Sequence, residues 1–595
     1  MSYQPPVRDY SFLLQEVLSL GTYAHLPTFG DATPDVIGQI IDGAARFASD
    51  ILAPLNAVGD KSGCIWNPDR SVSTPSGFTQ AYAQLVEGEW LGLSFDPNYG
   101  GQGLPKVLAL AYSEMASAAN MAFSMYPGLT HGAAEAIHHA ASDELKATYL
   151  PHMSTGAWSG TMNLTEPHCG TDLGLLRTKA VPEADGTYRI SGQKIWISGG
   201  EQDLAENIVH LVLARIEGAP AGVKGISLFI VPKFIPTKEG KPGERNGVFC
   251  AGLEHKMGIH GNSTCVMVHE NSVGWLVGEE NSGLKHMFVM MNEARLGVGL
   301  QGIAQAEAAY QAARDFAKDR LQGRALTGPR NPDGPADPII VHPDVRRMLM
   351  ESRALIEGGR AFLFWTALHG DLAGVHPDEA VRTKASDYMG LMTPVLKGYL
   401  TDKGFKICSD AMQVHGGSGF TEHFPASQYL RDSRIAMIYE GTNGIQALDL
   451  VGRKLAANGG RAVMTFFAEI DGFLATHEEA GDLAPFCAGL TQAKALLQEA
   501  TLWLMQNGLQ NPDNAAAAST DYMHLFGITG LAYMWTLMAK SALAAQSNGS
   551  TDSFYATKLV VGHYFLERIL PDAAAHLAKL KTGSSNLMSL PAEAF

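Results

Sequence analysis

Ile438-Tyr439-Glu440-Gly441-Thr442-Asn443-Gly444 sets a single carboxylate between an apolar run, Ile435-Ala436-Met437-Ile438, and a glycine–threonine turn. Apolar surroundings disfavour the charged form of a carboxylate and raise its pKa, which suits a general base working near neutral pH. Alone, the stretch reads as well as a helix end, since Glu beside Gly is common at turns. Its meaning rests on the segments that accompany it and on the fold that must bring them together.

The chain has 595 residues, too many for one hydrophobic core, so two to four domains are expected. Apolar residues make up 46% and charged residues 17%, as in an ordinary soluble protein. Acidic residues outnumber basic ones 60 to 44, a net charge of −16, and such a surface repels phosphate backbones. No nucleic-acid partner is expected. Six cysteines (Cys64, Cys169, Cys250, Cys265, Cys408, Cys487) are scattered without a C-x-x-C pair, which reads as reduced thiols and not as a disulfide frame or zinc site. His138, His139, His415 and His423 lack metal-ligand spacing, so no metal is expected. The amino terminus lacks a basic region followed by an apolar core, so no secretory signal is expected and a cytoplasmic location follows. The most membrane-like run, Leu525–Ala539, is closed by Lys540 short of a spanning length and reads as a buried bundle helix.

The order of patterns gives an α+β chain. Residues 1–35 form an extension. A helix then starts at Val36 behind Thr33 and Pro34, and helical spacing recurs at Phe78–Glu87, Val107–Ala119 and Gly128–Ala141, so 36–156 reads as an N-terminal α domain. Short β-rich runs follow at Thr187–Ile197, Ile208–Ile216, Gly225–Pro232, Val248–Leu253 and Thr264–His269, giving a middle β domain over 157–282. Residues 283–454 return to helix: one long helix over Met287–Arg320, a loop with five prolines over Ala325–Pro343, then Val345–Leu368, Glu379–Leu400 and Gly404–His415. Residues 455–595 form an additional helical domain broken at Gln506–Asn514 and Ser547–Asp552.

Gly297-Val298-Gly299-Leu300-Gln301-Gly302 fits G-x-G-x-x-G, but that fingerprint works only between a strand and a helix. Here it lies inside a helical run, so the glycines are read as allowing close helix approach. Met162-Asn163-Leu164-Thr165-Glu166-Pro167-His168-Cys169-Gly170-Thr171-Asp172 differs: a short strand, a proline-stopped turn and a Gly-Thr-Asp loop offer amides and hydroxyls to a polar cofactor edge. Gly192-Gln193-Lys194-Ile195-Trp196-Ile197-Ser198 adds an aromatic wall beside a hydroxyl.

Together with the Tyr-Glu-Gly-Thr stretch, with Gln413-Val414-His415-Gly416-Gly417-Ser418-Gly419-Phe420 and with Tyr429-Leu430-Arg431-Asp432, these segments resemble the acyl-CoA dehydrogenase family over roughly residues 40–455. The resemblance implies FAD-dependent α,β-dehydrogenation of an acyl-CoA thioester, with Glu440 as base, hydride passing to the flavin and electrons to an electron-transfer flavoprotein. It assigns Met162, Leu164, Thr165, Gly170, Thr171, Trp196, Ser198 and Thr442 to FAD. Arg320, Gln413, Gly416 and Gly417 match positions that reach the FAD of a neighbouring subunit, which implies at least a homodimer. Asn292 and Arg295 match the pair near the CoA arm, with helix-surface polar residues as the alternative.

The usual Arg-x-x-Phe-Gly appears here as Arg320-Leu321-Gln322-Gly323-Arg324, and the common Gln after the base motif is Gly444, so a cofactor contact from that side chain is lost or moved to Asn443. Length and the segment Pro6–Leu14 resemble the long 3-methylmercaptopropionyl-CoA dehydrogenase subgroup, acting in dimethylsulfoniopropionate breakdown. This implies 3-(methylthio)propanoyl-CoA as substrate and 3-(methylthio)acryloyl-CoA as product. Medium- or long-chain fatty acyl-CoA dehydrogenation, an acyl-CoA oxidase and a DNA-associated flavoprotein are the alternatives. The last needs a basic carboxy-terminal domain, and residues 455–595 carry seven Lys/Arg against twelve Asp/Glu.

Overall fold

Helix starts are set where the sequence offers them. In the computed structural model, which describes residues 3–477 and 481–595, the Val36 amide donates to Thr33 Oγ1 at 3.3 Å and Pro34 opens the first turn of the Pro34–Arg46 helix. The described residues divide into two units, 42–297 and 3–41 with 298–595.

In the 42–297 unit, helices α1 (Lys106–Ala119) and α2 (Met121–Ala140) precede a seven-stranded sheet. Its strands are β1 (Trp158–Asn163), β2 (Lys179–Pro182), β3 (Tyr188–Ser198), β4 (Asn207–Ile216), β5 (Ile226–Pro232), β6 (Val248–Leu253) and β7 (Thr264–Val277). The order is β6-β7-β3-β2-β4-β1, with β5 bridging β7 and β4. β4 and β5 are apolar nearly throughout and buried on both faces, as a central strand requires. β1 pairs in parallel with β4 alone and ends the sheet. The sequence pattern stops the last strand at His269, but β7 continues to Val277. A register shift between His269 and Ser272, with Asn271 at φ +53°, looks locally like a turn and is a bulge.

The other unit is helical. α3 (Gly283–Asp319) crosses the boundary between the units along the chain; α4 (Pro343–Val375) and α5 (Glu379–His415) follow. α5 is continuous where the sequence reads two helices, because Gly404 marks packing and not a break: a Cβ there would lie 2.3 Å from the Gly302 carbonyl oxygen. Gly299 and Gly302 sit against the α5 backbone at Leu396 and Leu400, so the G-x-G-x-x-G stretch is a helix-packing seam. The proline-rich loop folds around Asp337, whose carboxylate accepts from the amides of Ala325, Arg330 and Asn331 at 2.7–2.9 Å. Desolvation opposes its ionisation, yet those amides and Arg324 hold its pKa down at about 2.

Beyond α6 (Asn443–Asp449) come α7 (Arg461–His477), α8 (Ala484–Gly508), α9 (Pro512–Ser547), α10 (Ser553–Arg568) and α11 (Asp572–Leu580). Most of α9 is buried, with Trp535 Nε1 donating to the Ala354 carbonyl at 3.1 Å. No described helix is long and apolar enough to cross a membrane. All six cysteines are free thiols.

Candidate active site

The candidate residues fall into two groups, one on each unit. In the 42–297 unit, Met162 lies on the terminal strand β1, and Leu164 and Thr165 continue it. The Ile195 amide donates to the Thr165 carbonyl at 2.9 Å, which sets Thr165 beside Trp196. Glu166 and Cys169 close the following turn, bringing Gly170 and Thr171 round to Thr165. Trp196 is 61% exposed and has φ +61°, a backbone conformation that costs a non-glycine residue free energy and persists only where the surroundings enforce it. The hydroxyls of Thr165, Thr171 and Ser198 carry no hydrogen bond among the described residues. An exposed indole ringed by uncommitted hydroxyls fits a flat heteroaromatic group with a polar edge.

This arrangement stands on a buried ion pair that the sequence reading missed. Lys194, one strand residue before Ile195, donates to Glu166 Oε1 at 2.9 Å and to the Leu164 carbonyl at 3.0 Å. Burial lowers the Lys194 pKa. Burial would raise that of Glu166, but Lys194, the Thr178 hydroxyl and the Arg177 amide together bring it below its usual value. Glu166, His168 and Cys169 lie close enough to share an ion, as do His131, Glu135 and Glu293. In each group a lysine already answers the carboxylate charge: Lys194 in the first, and in the second Lys106, 3.0 and 2.8 Å from Glu135 and Glu293.

Asn292 and Arg295 lie one turn apart on α3. Asn292 is exposed, whereas Arg295 is buried with its guanidinium 5.9 Å from the Phe288 ring centroid, so the surface-residue alternative fails for Arg295.

In the other unit, Glu440 occupies a turn at φ +58°, followed by Gly441 at +85°. Its surroundings within this unit are half-exposed and not the dry pocket that the flanking apolar residues suggested, because Ile438 points outward at 45% exposure. What the unit provides is a fixed backbone. Gln446 Nε2 donates to the carbonyls of Glu440 and Gly441 at 3.0 and 3.1 Å. Lys397, fully buried on α5, donates to the Gly441 carbonyl and to Asn443 Oδ1, both at 2.8 Å. Tyr439 is anchored through its hydroxyl to Gln301, and burial together with the Glu440 charge pushes its phenol pKa well up. Asn443 turns inward onto Lys397, Thr401 and Asp402, which corrects the expectation that it takes over a cofactor contact. Thr442 is exposed. Lys397 had a legible signal, a lone charge inside Val395-Leu396-Lys397-Gly398-Tyr399-Leu400; Gln446 had none.

Arg320, just past α3, and Gln413, near the end of α5, are exposed and make no side-chain hydrogen bond among the described residues. Gly416 and Gly417 leave open space where a side chain would be. His415 ties the two helix ends together, its ring 4.5 Å from that of Phe316.

Comparison with known proteins matches four consecutive family models. They are the acyl-CoA dehydrogenase N-terminal domain over 39–157, middle domain over 161–272 and C-terminal domain over 281–455, and an acetyl-CoA dehydrogenase C-terminal-like model over 466–591. The chain is 41% identical over 590 residues to a 3-methylmercaptopropionyl-CoA dehydrogenase of Ruegeria pomeroyi, covering 99% of this chain and 100% of that one. It is 35% identical to the broad-specificity linear acyl-CoA dehydrogenase FadE5 of Mycobacterium tuberculosis, covering 100% of each. In fold it is similar to an acyl-CoA dehydrogenase complexed with FAD from Bacillus anthracis, with TM-score 0.74, 23% identity, and 93% of this chain and 89% of that one covered.

Proposed function

Since this chain belongs to the acyl-CoA dehydrogenase family, an FAD-using family of oxidoreductases, we propose that Glu440 is the base that desaturates 3-(methylthio)propanoyl-CoA to 3-(methylthio)acryloyl-CoA. The observation that carries the base assignment is the turn itself. A glutamate is held at positive φ by hydrogen bonds to its own carbonyl and to the next one. Strain of this kind is retained where geometry matters.

The α-hydrogen of a thioester is weakly acidic, and a carboxylate placed against it abstracts it once the carbonyl is polarised. Glu440 takes that proton, and its backbone amide serves as a donor to the thioester oxygen. Substrate and cofactor covering the half-exposed carboxylate exclude water and raise its basicity. FAD supplies, when bound, the two-electron acceptor for the hydride leaving the β-carbon. Met162, Leu164, Thr165, Gly170, Thr171 and Ser198 would meet its polar edge, Trp196 would wall its ring and Thr442 would meet its side chain. Arg320, Gln413, Gly416 and Gly417 form an open, cationic, glycine-floored surface suited to the FAD of a neighbouring subunit, in a homodimer or higher homo-oligomer. Asn292 and Arg295 serve the CoA arm. Electrons then pass to an electron-transfer flavoprotein in the cytoplasm.

The sulfur substrate is supported by the 41% identity to the Ruegeria enzyme. A linear fatty acyl-CoA is the second reading, supported by the 35% identity to FadE5. Anaerobic bleaching of the flavin by 3-(methylthio)propanoyl-CoA, butanoyl-CoA and palmitoyl-CoA separates them. Glu440→Gln is expected to slow bleaching by about 10²–10⁴-fold. Rapid bleaching by the fatty thioesters alone overturns the substrate, and rapid bleaching of the variant overturns the base.

A further inference from the structure

The additional carboxy-terminal domain has no part in the chemistry above, yet it reaches the base-bearing turn through an unbroken chain of hydrogen bonds. His524 on α9 places Nε2 2.9 Å from Asp402 Oδ2 on α5. Because Asp402 can only accept, that ring nitrogen carries the hydrogen. The other ring nitrogen, Nδ1, is buried with no partner among the described residues, so the bond to Asp402 is the polar tie the ring makes. Asp402 Oδ1 in turn accepts from Asn443 Nδ2 at 2.6 Å, and Asn443 Oδ1 accepts from Lys397 Nζ at 2.8 Å. Lys397 donates onward to the Gly441 carbonyl at 2.8 Å, the first carbonyl after Glu440.

The chemistry of a carboxamide makes this chain directional. With its NH₂ toward the Asp402 carboxylate and its oxygen toward the Lys397 ammonium, Asn443 satisfies both charges. Rotated by half a turn, it would set NH₂ against NH₃⁺ and oxygen against carboxylate. Asp402 therefore fixes the orientation of Asn443, and Asn443 fixes Lys397 beneath the turn. His524 holds Asp402 in place, its ring 5.5 Å from and edge-on to that of Tyr399. The helices are close enough for this to be rigid, since a Cβ at Gly398 would lie 2.2 Å from Met523 Sδ.

We propose that the carboxy-terminal domain positions the catalytic base, with His524 acting as a positioning residue through Asp402, Asn443 and Lys397. The proposal rests on the reading of Glu440 as the base. His524→Phe keeps the ring and its packing and removes the donor; His524→Gln restores a donor near the Nε2 position. Each holoenzyme is assayed for kcat and KM with butanoyl-CoA and 3-(methylthio)propanoyl-CoA, for flavin content, and for exchange of the α-hydrogens of a 3-thia-acyl-CoA in D₂O. That thioester has sulfur in place of the β-carbon, so exchange reports the base alone.

The expected result for His524→Phe is a loss of about tenfold in both kcat and exchange, the order that a small misplacement of a reacting group costs. KM should stay within about twofold and flavin content unchanged, with most of the loss restored by His524→Gln. If His524→Phe fails to retain flavin, Asp402→Asn, which changes charge without changing shape, is expected to give the same split. Wild-type kcat and exchange in His524→Phe or Asp402→Asn, or a loss that His524→Gln does not restore, overturns the proposal. Glu440→Gln, run alongside, distinguishes the two levels. If that variant turns over normally, the base reading falls and the proposal with it; if it is inactive while His524→Phe behaves as wild type, only the positioning link falls.

Discussion

Gly527→Ala tests whether the close seam between α9 and α5 is a requirement of the fold. A Cβ at Gly527 would lie 2.4 Å from Tyr399 Cγ and 2.7 Å from both Cδ atoms. Ordinary carbon contacts sit near ~3.5–4.0 Å, so the helices must part by about 1 Å or the ring must leave. The ring has nowhere to go, because Tyr399 is fully buried. Alanine brings two gains in a helix, about 1 kcal/mol of propensity and about 0.8 kcal/mol for a buried methyl. Against these stands overpacking, at about 3 kcal/mol in a rigid site. To this is added about 1 kcal/mol from seam contacts that forfeit a quarter to a half of their depth. The balance is a net destabilisation of about 2 kcal/mol, or about 3–4 °C in the calorimetric midpoint of the unit that contains α9. Gly472→Ala, on an exposed face of α7 with open space around it, isolates the propensity gain and should stabilise by about 0.5–1 kcal/mol. A Gly527→Ala protein as stable as wild type would show that the ring yields, and would refute the claim that this glycine sets the helix separation.

Two further outcomes follow from buried charges elsewhere. Arg360 bonds Asp9 at 2.6 Å and Glu307 at 2.7 Å in an interior network with Lys558 and Glu357; Arg360→Leu leaves two carboxylates short of a partner and should cost about 3–5 kcal/mol in urea unfolding, whereas unchanged stability would mean that water or a side-chain shift replaces the guanidinium. Asp337, held down at about 2, has a folded pKa below its unfolded value. Its contribution to loop order is therefore full above about pH 4 and lost as pH falls through about 2. Asp337→Asn should open the 325–343 loop to limited proteolysis at neutral pH, and a loop equally resistant in the variant would remove the carboxylate from its role.

What the sequence shows depends on how local the cause is. The Pro34–Arg46 helix, the strands from Tyr188 to Leu253 and the long α3 helix are written in caps and periodicity that act within a few residues. The errors have non-local causes. α5 was split because Gly404 looks like a break until Gly302 is seen against it, and β7 was cut short because a bulge and a turn share the same residues. In the candidate site, Glu440 and Trp196 were legible because reactive groups sit in recognisable local settings. Their positive φ was not, since non-glycine residues take that conformation only when distant atoms enforce it. Gln446, Asp402 and His524 were missed for the same reason: each is an ordinary polar residue whose role exists only across a helix interface.

The carboxy-terminal helices thus do two separable things to the bundle they join. Their bulk covers apolar surface: Gly530 meets the ring of Phe362, and Trp535 caps a carbonyl of α4. Many different apolar sequences could serve that purpose, because burial is non-directional. The bond from His524 to Asp402 is different in kind, since it fixes one carboxylate and, through it, the orientation of one carboxamide. A polar residue inside an otherwise apolar helix costs free energy unless it is paired. On that argument His524 is the one place where the covering domain departs from what covering alone requires, and the departure points at the turn that carries Glu440.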